Sequence, residues 1–341
     1  MTSSTGGGRT LQFRTGGWVI LLAALVWLAA LAWWLLPLDL SVRRAEPNNG
    51  FDLSISLVPA DTIVPSGQPR DGIRSMDGPG ILTTVEVLQL NEEQRGKYLV
   101  DSDEVIGVRI GDEVRAYPIR VLNWHEVVND VVGGTPIAVT FGPLTFGTAV
   151  FDRNVGTETL EFGVSGLLHD SGLLLYDRGG GSLWSQLQAR AVTGPAAERG
   201  EVLEPLPFSL TTWGTWRERY PETTTVAPLP ALKKHYSNNP YGNYYQQARP
   251  RFPVDPLPED DGPGLMTRVL AVRTDDGGWA LTVLDPNASK PALPGGIGEG
   301  ITFGFERESV GFLADDARAE MMVALWFAWY ATHPEDAPPP W

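Results

Sequence analysis

The stretch Val105-Ile106-Gly107-Val108-Arg109-Ile110-Gly111-Asp112-Glu113-Val114-Arg115-Ala116-Tyr117-Pro118-Ile119 decides the fold class. Residues 105–110 and 113–119 are β-patterned runs, and Gly111-Asp112 between them favours a tight antiparallel turn. Residues 127–132 and 137–141 flank Gly133-Gly134 in the same way. Shorter runs at 149–151, 160–164, 173–176 and 183–187 read as further strands, and Gly179-Gly180-Gly181 as a turn. Strand patterns return at 268–273, 279–284, 301–305 and 310–312. Helices are expected at 91–99, at 210–219 with Ser209 as N-cap and Pro221 beyond it, and at 317–330, where Asp315 and Asp316 would favour the dipole. The expected class is α+β, mainly antiparallel β-sheet with a few short helices.

A repeat runs through this pattern. Trp213-x2-Trp216-x3-Tyr220-Pro221-Glu222 matches Trp326-x2-Trp329-x3-His333-Pro334-Glu335. Upstream, Val105-x2-Val108-Arg109 echoes Val269-x2-Val272-Arg273. The order is the same in both, with the second copy about 50 residues shorter, so two related halves are predicted. The first spans 81–227 and the second 265–336, ahead of a tail at 337–341. Between them, residues 228–264 carry eight prolines and four tyrosines (Tyr236, Tyr241, Tyr244, Tyr245). Disordered segments are poor in aromatics, so this loop is expected to pack.

Residues 18–36 form an uncharged apolar run of 19 residues, closed by Pro37. At helical rise the run reaches roughly 28 Å, close to a bilayer core of about 30 Å. Trp18, Trp33 and Trp34 sit where interfacial rings belong. A cleaved signal would have a shorter core and a small-residue cleavage site, so residues 18–37 are read as one transmembrane helix in a lipid bilayer. Residues 1–17 form a tail before it and 38–80 a polar tether after it. Arg9 and Arg14 before the span balance Arg43 and Arg44 after it, so charge hardly sets orientation. Position alone favours a single-pass protein with its globular part outside the cytoplasm.

The net charge is −15, with 41 acids against 26 bases, which repels nucleic acid. There is no cysteine, which excludes disulfides, thiolate metal sites and a cysteine nucleophile. No HExxH, EF-hand, Walker or GxSxG pattern occurs, and the cofactor stays unknown. Chemistry-bearing residues cluster in the first half. His125 and Glu126 lie in Asn123-Trp124-His125-Glu126-Val127-Val128-Asn129-Asp130, and as strand residues they would face opposite ways. His169 lies in Ser165-Gly166-Leu167-Leu168-His169-Asp170-Ser171-Gly172, and Asp177 in Tyr176-Asp177-Arg178. His125, Glu126, His169 and Asp177 are the catalytic candidates, with His125 and His169 as metal-ligand candidates. The structural alternatives are a backbone-bonded histidine for His125 and turn chemistry for Asp177.

Several phrases resemble the DUF3179 family, prokaryotic proteins of unknown function that often carry an N-terminal signal or anchor. They are Val105-Ile106-Gly107-Val108, Arg115-Ala116-Tyr117-Pro118, Leu122-Asn123-Trp124-His125-Glu126-Val127-Val128-Asn129-Asp130 and Phe151-Asp152-Arg153. Gly163-Val164-Ser165-Gly166-Leu167-Leu168, Tyr176-Asp177-Arg178, Ser182-Leu183-Trp184-Ser185-Gln186 and Asn239-Pro240-Tyr241-Gly242 belong to the same set. The resemblance covers most of residues 70–336. It implies a Cys-Pro-Leu-Cys-type motif where this chain reads Gly142-Pro143-Leu144-Thr145, and an Asn-Ser-Asp type of sequence near His169-Asp170-Ser171-Gly172. Any family activity that needs those sulfurs is therefore absent here. Three functions stay open: a non-catalytic binding or scaffold module, an enzyme using His125 and nearby carboxylates, and a metal-binding module.

Overall fold

The computed structural model describes residues 22, 25, 27, 48–93, 97–259, 262–285, 293, 296–306, 309–315 and 319–335. Residues 1–45 and 46–341 form two separate units. The expected transmembrane run lies outside the described residues, except for Leu22, Leu25 and Trp27, which are helical. Among the described residues no helix is long and apolar enough to cross a membrane.

The larger unit opens with β1 (Ile63–Pro65), β2 (Met76–Asp77) and β3 (Ile81–Thr83), then a helix, Thr84–Glu93. The hairpin β4 (Glu104–Ile110) and β5 (Glu113–Pro118) runs into the helix Ile119–His125. Next come β6 (Val127–Val132), β7 (Thr135–Gly142) and β8 (Gly147–Asp152). An excursion follows, made of β9 (Asn154–Val155), β10 (Glu158–Thr159), β11 (Phe162–His169), β12 (Gly172–Asp177), β13 (Leu183–Ser185) and β14 (Arg190–Ala191). After it come β15 (Glu204–Leu206) and β16 (Ser209–Thr212), the helix Trp213–Arg219, and β17 (Thr224–Val226). The last part holds β18 (Arg268–Arg273), β19 (Trp279–Val283), β20 (Ile301–Glu306), β21 (Ser309–Ala314), β22 (Met321–Leu325) and the helix Trp326–Thr332. The chain is thus β-rich with few helices.

Both predicted hairpins form, closing at Ile110↔Glu113 and Val132↔Thr135. Gly133 and Gly134 both take positive φ, as a two-residue turn matched to strand twist requires. Pairing is antiparallel except for β2–β6 and β5–β17. One large sheet runs β20-β21-β16-β4-β5-β17-β3, and another runs β19-β18-β22-β8-β7-β6-β2. A third, β1-β11-β12-β13-β14, is built mainly from the excursion.

The two large sheets share one local geometry. When Val105 is aligned with Val269 and Trp213 with Trp326, Val105↔Thr211 corresponds to Val269↔Ala324. Trp213 N–H donates to Asp103 O at 2.8 Å, and Trp326 N–H donates to Thr267 O at 2.8 Å. Each seven-residue helix ends on a matching bond, Tyr220 N–H to Trp216 O and His333 N–H to Trp329 O. Beyond that point the sheets cross over. In the first sheet β16 pairs with β21, at Leu210↔Phe312, and in the second β22 pairs with β8, at Val323↔Thr148. The β7–β8 hairpin of the first half therefore completes the second half's sheet, and the β20–β21 hairpin completes the first's. The roughly 50-residue difference falls between β8 and β16, in the stretch that builds the third sheet.

Three local expectations are corrected. The tether reading of 38–80 fails from residue 48 onward. Phe51 and Ile63 are buried in a cluster with Leu167, Leu174 and Tyr176, and β1 and β2 are sheet-bonded. The helix expected at 91–99 runs Thr84–Glu93 instead, where Glu86 accepts from the N–H and hydroxyl of Thr83 as a capping box does. The helices expected at 210–219 and 317–330 each split into a strand and a shorter helix. Thr212, not Ser209, caps the first of them, accepting from Thr215 N–H. Asp315 accepts from Tyr220 and Arg219 rather than opening a helix.

The larger of the two buried clusters reaches both large sheets, with Trp184, Trp216, Trp326 and Trp329 fully buried. Because each sheet needs a hairpin from the other half, the halves should not fold separately. A chain cut between Leu257 and Pro258 and co-expressed as two pieces should copurify and unfold in one transition. Each piece expressed alone should lack near-UV circular dichroism.

Candidate functional site

The β7–β8 hairpin ends in a tight turn, and both neighbours of that turn converge on it. Gly142 pairs with Gly147 across its base. A Cβ on Gly142 would come within 2.8 Å of Gln186 Oε1, and one on Gly147 within 2.5 Å. Glycine at these positions lets the buried Gln186 amide reach in from beyond β13 and donate to Thr140 Oγ1 at 2.8 Å and Gly147 O at 2.9 Å. From the other side the proline- and tyrosine-rich loop packs down, as its aromatics predicted. Tyr244 OH donates to Leu144 O at 2.8 Å, and Tyr245 OH donates to Pro143 O at 2.7 Å. Two phenols thus pin the loop across the turn.

Between loop, turn and third sheet lies a cavity of about 200 Å³. Its apolar wall includes Val164, Leu167, Leu168 and Leu173, and Pro143 and Leu144 form one side. Gly166, at φ +72°, makes the β11 bulge that opens this wall. Tyr241, Arg251 and Phe252 come from the loop. One acidic residue lines the cavity, Glu126.

Glu126 is held there by its backbone. It ends the helix Ile119–His125 at φ +58°, ψ −32°, a conformation disfavoured for a residue with a Cβ. Its N–H donates to Leu122 O, and its carbonyl accepts from Phe141 N–H, both at 2.8 Å. The side chain is 7% exposed. Among the described residues no hydrogen bond or ion pair reaches its carboxyl. Burial alone pushes the group up to about 8, so it is protonated at neutral pH.

The predicted alternation across His125 and Glu126 is replaced by a helix end, so the two side chains do diverge, but for a different reason. His125 is buried, with Nδ1 bonded to Arg74 O at 2.7 Å and Nε2 to Tyr236 OH at 2.7 Å. The carbonyl can only accept, so Nδ1 carries the proton and Nε2 accepts from Tyr236. No lone pair is left for a metal or a substrate proton. His169 sits at the end of β11 with Nδ1 3.2 Å from Asp170 Oδ2, and burial lowers its proton affinity. Neither histidine lines the cavity. Among the described residues no group of three or more His, Asp or Glu could hold a metal ion. Asp177 closes the turn after β12. It accepts from the N–H groups of Gly180, Gly181 and Ser182 and from Trp184 Nε1. The sequence analysis therefore singled out one residue of the cavity, Glu126. Arg251 was not among the candidates. Tyr241 was visible in the aromatic loop and in the phrase Asn239-Pro240-Tyr241-Gly242, but not as a site residue.

The family model described as "Protein of unknown function (DUF3179)" matches residues 70–291. The chain belongs to the DUF3179 family. Glu126, the Gly142 turn, Tyr241 and Arg251 all fall inside the matched region, whereas β20, β21 and β22 lie beyond it. No curated protein and no solved structure matches this DUF3179 chain.

The raised Glu126 proton affinity has a consequence for folding. Between its ordinary value of 4.5 and about 8, the folded chain keeps a proton that the unfolded chain has released. Native stability contributed by this group is therefore full below 4.5 and is lost as pH rises towards 8. Glu126→Gln should accordingly stabilise the protein little at pH about 4.5 and by up to several kcal/mol at pH about 8. Urea unfolding of both forms across that range checks the trend.

Proposed function

We propose that this protein is a membrane-tethered, non-catalytic binding module whose ligand site is the Glu126 cavity, on the outer side of the membrane. The observation that carries the reading is a buried carboxyl without a partner, held by a disfavoured backbone conformation at the edge of a cavity. Such a group costs stability, and a ligand that satisfies it recovers that cost. The loop packed over the turn supplies a cover that can exclude water. The occupied nitrogens of His125 and the four N–H donors on Asp177 speak against the enzyme reading that used them. The apolar run 18–37 supports the tether. The matched registers of the two sheets support an origin by duplication, in which the first copy gained the excursion that walls the cavity.

Thermal-shift screening of the full chain in detergent against small metabolites tests the binding reading. A ligand at about 100 times its Kd adds about 2.7 kcal/mol and raises Tm by several degrees. Hits should vanish in Glu126→Leu. Hits that survive that change, or that the protein converts to product, would contradict the reading.

A further inference from the structure

The proposed binding reading leaves the ligand's chemistry open, and the cavity's own side chains narrow it. Three of the lining residues can carry charge: Glu126, Tyr241 and Arg251. The other elements around the cavity contribute backbone, hydroxyl, amide and apolar groups. Arg251 forms no ion pair among the described residues, although its guanidinium carbon lies 5.3 Å from the Tyr244 ring centroid. Glu126 and Arg251 line the same cavity and do not pair with each other. Burial is the main cause that raises the Tyr241 proton affinity; the Glu126 carboxyl raises it further and Arg251 lowers it. All three residues line the one cavity.

We infer that the cavity takes a small monocarboxylate with an apolar tail, its carboxylate held between Arg251, Tyr241 and the Glu126 carboxyl. Each group then has a role. The guanidinium is the one fixed positive charge in the lining and matches a carboxylate. Tyr241 and a protonated Glu126 are hydroxyl donors, and a carboxylate has lone pairs for both. The tail lies along Leu167, Leu168, Leu173 and Phe252. The volume, about 200 Å³, suits a short tail. An amine would find no ionised partner without deprotonating Glu126 away from water, which is costly. The inference depends on the cavity being a binding site, and the probes below separate the two claims.

Calorimetric titration of the full chain in detergent with hexanoate, hexanamide and hexylamine is the test. These probes share a tail and differ in head charge. At pH about 6.5, hexanoate should bind with a Kd on the order of 1 mM or tighter, and the other two at least about tenfold more weakly. Arg251→Gln, at an exposed position, should weaken hexanoate about tenfold and leave hexanamide unchanged. Native affinity for hexanoate should fall as pH rises through about 8, where Glu126 becomes an anion facing an anion. In Glu126→Gln that pH dependence should be lost, whatever the variant's affinity at pH about 6.5. Equal binding of hexanamide or hexylamine in the native protein, or indifference of hexanoate to Arg251→Gln, would overturn the inference while leaving a binding site standing. Absence of saturable hexanoate binding would overturn it too, and the metabolite screen would then decide the broader reading alone.

Discussion

Two strand pairings across the halves, Val323 with Thr148 and Leu210 with Phe312, hold the rest of the structure in place. Each joins the strand that leads into one half's tryptophan helix, β16 or β22, to a hairpin of the other half. Without them the first sheet loses β20 and β21, the second divides between β22 and β8, and both expose a long edge, a state that invites aggregation. The exchange also reaches the cavity. Leu325 N–H, at the end of β22, donates to Thr145 O at 2.7 Å within the turn after β7. Arg268 pairs with Glu104 at 2.6 Å, and its guanidinium carbon lies 3.6 Å from the Phe146 ring centroid. A turn in the first half is thus positioned by strands of the second. The site can be no more stable than the joint between the halves.

The hairpins were legible in the sequence because turn chemistry is local: Gly111-Asp112 and Gly133-Gly134 sit between alternating runs. The repeat was legible because buried tryptophans at helical spacing leave a recognisable signature. Its consequence was not, since no local signal says which half a strand will pair with. The run 317–330 shows a second limit. A strand buried on both faces, Met321–Leu325, has no alternation, and it runs into an apolar helix without a break. Residues 48–80 read as tether for the opposite reason. Their polar composition is real, but Phe51, Ile63 and Met76 find their partners more than fifty residues away.

The candidate site was half legible. Glu126 was chosen as a carboxyl beside a histidine, and the structure separates it from that histidine. Its positive φ carried no warning, because the residue is not glycine. The comparison with other buried carboxylates is more telling than its place in a motif. Asp177 is met by four N–H donors. Asp130 accepts from Arg115 at 2.7 Å and Tyr117 at 2.8 Å, and from the N–H of Val131. These two are built into the fold. Glu126 has burial without partners, the pattern expected of a group kept for something outside the chain.

The central claim is that this carboxyl is neutral in the native protein. Infrared difference spectroscopy of native protein against Glu126→Gln observes the protonation state itself. The account predicts a protonated-carboxyl C=O stretch at neutral pH that is missing from the variant and that fades as pH rises through about 8. A native spectrum at neutral pH with only ionised carboxylate bands, the same as the variant's in the carboxyl region, would contradict it.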